Sequence, residues 1–208
     1  PPPPPPPTHT LELSSAASDV YKRQIYSQMT YDGHEHVSLL EFESLRERLI
    51  LLDGWSKTYA MTGWRLGYAL WPEALVDHAT RLAINCHSCV NAATQFAGIA
   101  ALEGPQDSVH QMVAAFDERR GVIVDGLNAI PGISCRTPNG AFYAFPNITR
   151  TGRDAREIQD MLLEKAGVAT VAGTSFGHLG EGYVRFSYAN SVDNIRTALS
   201  RVEEALAG

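Results

Sequence analysis

Gly54-Trp55-Ser56-Lys57-Thr58-Tyr59-Ala60-Met61-Thr62-Gly63-Trp64-Arg65-Leu66-Gly67 places a lysine, a neighbouring hydroxyl and an arginine among glycines. The run follows the apolar stretch Arg48-Leu49-Ile50-Leu51-Leu52 and precedes a second apolar segment. A carbonyl cofactor that carries a phosphate needs these parts. The Lys57 amine can form a Schiff base with an aldehyde, while Ser56 and the planar Arg65 guanidinium can hold phosphate oxygens. Gly63 and Gly67 either permit close backbone approach or serve as turn glycines. The competing reading is a surface loop with two ordinary cations.

Outward from this loop the chain alternates. Leu39 to Leu45 reads as a short helix, and Arg48 to Leu52 as a strand covered on both faces that ends at Asp53-Gly54. Trp64 to Leu70 reads as the next strand, stopped by Trp71-Pro72. Helical spacing then dominates in Glu73 to Ile84, Ala92 to Leu102 and Asp107 to Leu127, with Gly104-Pro105 and Pro131-Gly132 as punctuation. Beyond these, Ile133 to Cys135 and Ala141 to Phe145 read as strands around the turn Pro138-Asn139-Gly140. Ala155 to Ala166 is predicted as a helix stopping at Gly167, and Val168 to Val171 and Tyr183 to Tyr188 as strands. Asn190-Ser191 caps a closing helix that runs to Leu206. Strands interleaved with helices predict an α/β protein with a smaller C-terminal α+β lobe.

Composition narrows the class. The chain has 208 residues, 44% hydrophobic and 19% charged, which supports a globular core in one or two domains. A net charge of -6 argues against nucleic acid or an anionic membrane surface as the main partner. No apolar stretch reaches the length of a membrane span, and cytoplasm is the default compartment. Three cysteines do not form a secreted disulfide framework. Cys86-His87-Ser88-Cys89 lacks a second ligand pair for a closed metal site, so no metal is expected, and it reads as a junction between apolar helices.

The first 24 residues differ from the rest. Pro1 to Pro7 would form a polyproline II rod, and Leu11 to Gln24 lacks a convincing apolar face. Ser14 to Gln24 is similar to translated adapter read-through, so residues 1–24 are expected to be a foreign tail; a native Pro-rich linker is the alternative.

The lysine loop resembles, position for position, the pyridoxal phosphate signature of class I/II aminotransferases, fold-type I enzymes of the aspartate aminotransferase kind. The likeness extends over residues 25–208. Pro138-Asn139-Gly140-Ala141-Phe142-Tyr143-Ala144-Phe145-Pro146 resembles a small-domain strand motif of that family. Val168 to Gly177 is similar to the segment after it, and Val184-Arg185-Phe186-Ser187-Tyr188-Ala189 to the strand whose arginine grips the substrate carboxylate. The resemblance implies residues 25–115 as a remnant of the cofactor-binding large domain and 116–208 as the C-terminal small domain. It implies Lys57 as the Schiff-base and proton-moving residue, Ser56 and Arg65 as phosphate ligands, Tyr26 as a ring-oxygen partner and Arg185 as the substrate-carboxylate ligand. A structural salt bridge is the alternative for Arg185.

The implied reaction moves an amino group from an α-amino acid, aspartate-like or related, to a 2-oxo acid such as 2-oxoglutarate, in a homodimer. Carbon–sulfur lyases of the same fold, sensor domains of transcription regulators and a catalytically inactive fragment with an exposed strand are the alternatives. One departure stands out. Arg23 occupies the position where the family has an aspartate that protonates the cofactor's pyridine nitrogen. The chain is similar to the C-terminal half of such an enzyme.

Overall fold

The structure is a computed structural model that describes residues 20–207, so the expected polyproline rod and the segment up to Asp19 lie outside the described residues. Two compact units emerge. The first comprises the described residues up to Gln28 with Glu35–Gln106, and the second Met29–His34 with Asp107 onward. The expected boundary at 115/116 falls inside a helix of the second unit.

The first unit is built on a three-stranded sheet of β1 (Val20–Arg23), β2 (Leu49–Gly54) and β3 (Gly67–Leu70), in that order. Strand β1 runs parallel to β2, with Val20 opposite Leu49 and Arg23 opposite Leu52, and Gln24 N–H extends the ladder to Leu52 O at 2.8 Å. Strand β3 runs antiparallel to β2, with Asp53 opposite Tyr68 and Gly54 opposite Gly67. The Arg48 to Leu52 segment, which the inactive-fragment alternative would leave unpaired, is therefore the centre of the sheet. It is also not covered on both faces: Leu49 and Leu51 are buried against Leu39 and Leu40, while Ile50 and Leu52 are half-buried.

Instead of one helix, Leu39–Glu41 and Glu43–Arg48 form two 3₁₀ turns, the first capped reciprocally by Ser38 and Glu41. Two helices complete the unit, α1 (Glu73–His87) and α2 (Ala92–Glu103). Helix α1 ends at Ser88 with φ +60°, and the Asn91 side chain accepts from Thr94 N–H at 3.3 Å to start α2. Cys86 and Cys89 are exposed at this junction between helices, as expected.

The second unit holds α3 (Asp107–Ala129), β4 (Tyr143–Ala144), α4 (Ala155–Ala166), β5 (Val171–Ala172), β6 (Val184–Ser187) and α5 (Val192–Ala207). Its sheet has β6 between β4 and β5, all antiparallel. The expected strand Ile133 to Cys135 is reduced to a single bridge between Ser134 and Asn147. The Asn128 side chain takes both Cys135 backbone groups, accepting from its N–H at 2.7 Å and donating to its C=O at 2.9 Å, so no ladder continues there. Asp154 and Glu157 form a capping box at α4, and Gly167 closes it with φ +63°. Ser191 Oγ accepts from Asn194 N–H at 3.2 Å and opens α5.

A buried arginine anchors this unit. Phe116, Arg120, Ile123 and Leu127 share one buried stripe of α3, and Arg120 is only 6% exposed. Its guanidinium donates to both Asp32 carboxylate oxygens at 2.7 and 2.8 Å, to Asp117 at 2.9 Å and to Pro138 O at 3.0 Å. The same group lies 4.5 Å over the Tyr31 ring. Four of its five N–H groups are thereby hydrogen-bonded and Nη2 also lies 2.7 Å from Asp117 Oδ1, which satisfies the condition for keeping a guanidinium out of water.

Candidate active site

The lysine loop folds on itself. Tyr59 N–H and Met61 N–H both donate to Trp55 O, at 3.1 and 3.4 Å, and Ala60 N–H donates to Lys57 O at 3.2 Å. Thr58 and Met61 are buried within it, and Trp55 Nε1 donates to Gly98 O of α2 at 3.0 Å. Ala60 and Arg65 have φ of +52° and +56°, so the chain turns through left-handed backbone where the sequence pattern predicts a strand from Trp64. That strand begins only at Gly67.

Close backbone approach falls on Gly54 and Gly67. A Cβ at Gly54 would stand 2.8 Å from Leu66 O and 2.9 Å from Gly67 Cα, and one at Gly67 would stand 3.1 Å from Asp53 O. Around Gly63 there is open space.

An open cleft of about 880 Å³ lies in the first unit, and its lining includes the polar residues Arg23, Asp53, Ser56, Arg65, Tyr68, Trp71, Thr80 and His87. Ser56 and Arg65 thus both line this cavity. Arg65 is exposed and uses one guanidinium nitrogen, Nη1, to donate to Thr62 O at 2.7 Å. Lys57 and Tyr26 are half-buried, are engaged by neighbours within the fold and do not line the cleft.

Asp53 was not singled out by the sequence pattern. It ends β2, and its Oδ1 accepts from Gly54 N–H at 2.7 Å. Burial holds its carboxyl above the ordinary range, opposed by that hydrogen bond, by the Tyr68 hydroxyl and by His36. The only signal for it was an acid closing an apolar run.

Arg185 lies on β6 in the second unit, half-buried. Its guanidinium sits between two rings, 4.5 Å from the Tyr143 centroid and 4.7 Å from that of Phe176. No carboxylate among the described residues pairs with it. Two rings fix the plane of a guanidinium and leave its edge to recognise a ligand. The buried arginine that does pair with protein carboxylates is Arg120, a residue the sequence reading passed over. An arginine on the apolar stripe of a helix is the signal that would have found it.

Comparison with known proteins identifies the family. Residues 24–202 match the family described as aminotransferase class I and II. Aspartate aminotransferase of Pyrococcus horikoshii is 40% identical over 185 residues, covering 88% of this chain and 47% of that protein. Aspartate aminotransferase of Geobacillus stearothermophilus is 42% identical over 185 residues, covering 86% and 47%. Among solved structures, an aromatic aminotransferase from Pyrococcus horikoshii superposes with a TM-score of 0.87 at 34% identity, covering 91% of this chain and 51% of its own. Aspartate aminotransferase from Rhizobium meliloti superposes with a TM-score of 0.83 at 36% identity, covering 88% and 48%. The chain belongs to the class I and II aminotransferase family and has its α/β fold. It spans about half the length of the curated relatives it matches.

Proposed function

We propose that this chain contributes the lysine-bearing part of a pyridoxal phosphate-dependent aminotransferase, moving an amino group from an α-amino acid to a 2-oxo acid. The observation that carries the reading is a single cleft lined by both Ser56 and Arg65, on the loop that also bears Lys57, in a chain of this family. The donor set suits a phosphate: a neutral hydroxyl and a cation with unspent donors meet in one cavity. It does not suit a protonated pyridine, because Arg23 lines the same cleft. When bound, pyridoxal phosphate supplies an aldehyde for amines and a ring that withdraws electrons from the substrate's α-carbon.

Lys57 Nζ is the amine that would hold the aldehyde and, once released, move the α-proton. Tyr26 would donate its hydroxyl to the ring oxygen. Arg185 would take the substrate α-carboxylate on the edge of its guanidinium, its plane held by Tyr143 and Phe176. Residues 25–115 then act as part of the cofactor domain and 116–208 as the small domain. Relatives named for aspartate and aromatic substrates support an α-amino acid donor. No helix among the described residues is long and apolar enough to cross a membrane, and a cytoplasmic homodimer is the assembly we propose.

Titration of the purified chain with pyridoxal phosphate tests the reading. A saturable absorbance band that Lys57→Ala abolishes is the expected result. A folded chain that takes up no cofactor, or takes it up equally without Lys57, would reject the assignment.

A further inference from the structure

We infer that a pyridoxal-type ligand held in the cleft of the first unit carries an unprotonated ring nitrogen, because Arg23 lines that cavity where the family resemblance implies a carboxylate. The inference rests on the cofactor reading above. Among the described residues the ionisable groups lining the cleft are Arg23, Asp53, Arg65, Tyr68 and His87. Two of them are guanidiniums, which stay charged at every relevant pH and offer donors only. A pyridinium in their company would face like charge, whereas a neutral pyridine presents a lone pair that a guanidinium N–H can donate to.

Among the described lining residues Asp53 is the one carboxylate; it accepts from Gly54 N–H at 2.7 Å, and burial disfavours its charged form. Arg23, by contrast, is exposed and forms no ion pair with a described residue. Its backbone is fixed: Arg23 pairs with Leu52 in the parallel ladder, and Asp53 is the next residue of β2. The anchoring of a ligand through Ser56 and Arg65 is thereby separated from the activation of its ring. The chain is expected to retain the cofactor while withdrawing electrons from a bound substrate poorly.

Ring-nitrogen NMR of the chain loaded with ¹⁵N-labelled pyridoxal 5'-phosphate tests this directly, read from about pH 6 to 8, the range in which groups near neutrality titrate. The expected resonance stays at the unprotonated position throughout that range, and Arg23→Asp moves it to the protonated position. A protonated resonance in the unaltered chain overturns the inference without help from any variant. An unprotonated resonance that Arg23→Asp leaves in place overturns the role of Arg23. Failure to take up the labelled cofactor gives no bound signal at all, and so rejects the cofactor reading itself, an outcome distinct from the other two.

Discussion

Helices α2 and α4 are both twelve residues long, yet they meet their surroundings in opposite ways. Helix α4 keeps Ala155, Ile158, Met161, Leu162 and Ala166 on one buried face and turns charged residues outward. Helix α2 is apolar all round and buries only Thr94 and Gly98, leaving Phe96, Ile99 and Leu102 exposed at 73%, 49% and 56%. A helix with one apolar stripe is satisfied by one packed neighbour; a helix without a polar face asks for cover on every side. The second unit therefore holds its own core, whereas the first leaves Phe96, Ile99 and Leu102 of α2 exposed.

Two aspartates repeat the contrast in electrostatics. The Arg120 guanidinium holds the Asp32 carboxyl below its ordinary range, whereas burial holds Asp53 above it. For Asp32 the folded value is depressed, so its contribution is fully present above the unfolded value and is lost as pH falls through the folded one. For Asp53 the sign reverses: the charged form carries a cost at neutral pH, relieved as pH falls through its raised folded value.

The largest expected effect lies in the second unit. Leu162→Ala removes a side chain with no exposure and should cost about 3 kcal/mol, read from denaturant unfolding followed by hydrogen exchange in each unit. A loss under about 1 kcal/mol would break the claim that this unit is the packed one. Gly54→Ala forces a Cβ against Leu66 O and Gly67 Cα, so a loss of about 1–3 kcal/mol is expected, localised to β2 and β3. Unchanged exchange in those strands would show that the approach is not tight.

Asp32→Asn should flatten the acid limb of second-unit stability below about pH 4, where carboxylates begin to protonate. Asp53→Asn should leave the first unit no less stable at pH 7, and a clear loss there would mean that its charge is needed. The smallest effect belongs to α2: Phe96→Ser should change stability by no more than about 0.5 kcal/mol while reducing self-association in light scattering. A large loss of stability would mean that Phe96 is already packed within the monomer.

Local rules made much of this legible. Helix α4 begins and ends as its caps dictate, because Asp154, Glu157 and Gly167 act within one turn of themselves. The lysine loop was readable because a hydroxyl, an amine and a guanidinium at fixed spacing are meaningful together wherever the chain goes. The strand at Ile133 was not readable, since Asn128 intercepts its backbone groups from another element. Nor was the strand expected from Trp64, because a left-handed Arg65 depends on the loop's own folding rather than on residue type.

By itself the sequence determined the family signature and the helices with strong caps and periodic apolar faces. Those properties depend on neighbours within a few residues. Only the tertiary structure decided that Arg120 is buried against Asp32, that Arg185 lies between two rings, that Asp53 is held protonated more easily, and that Arg23 enters the cleft. Each of these depends on which groups, distant along the chain, share a volume from which water is partly excluded.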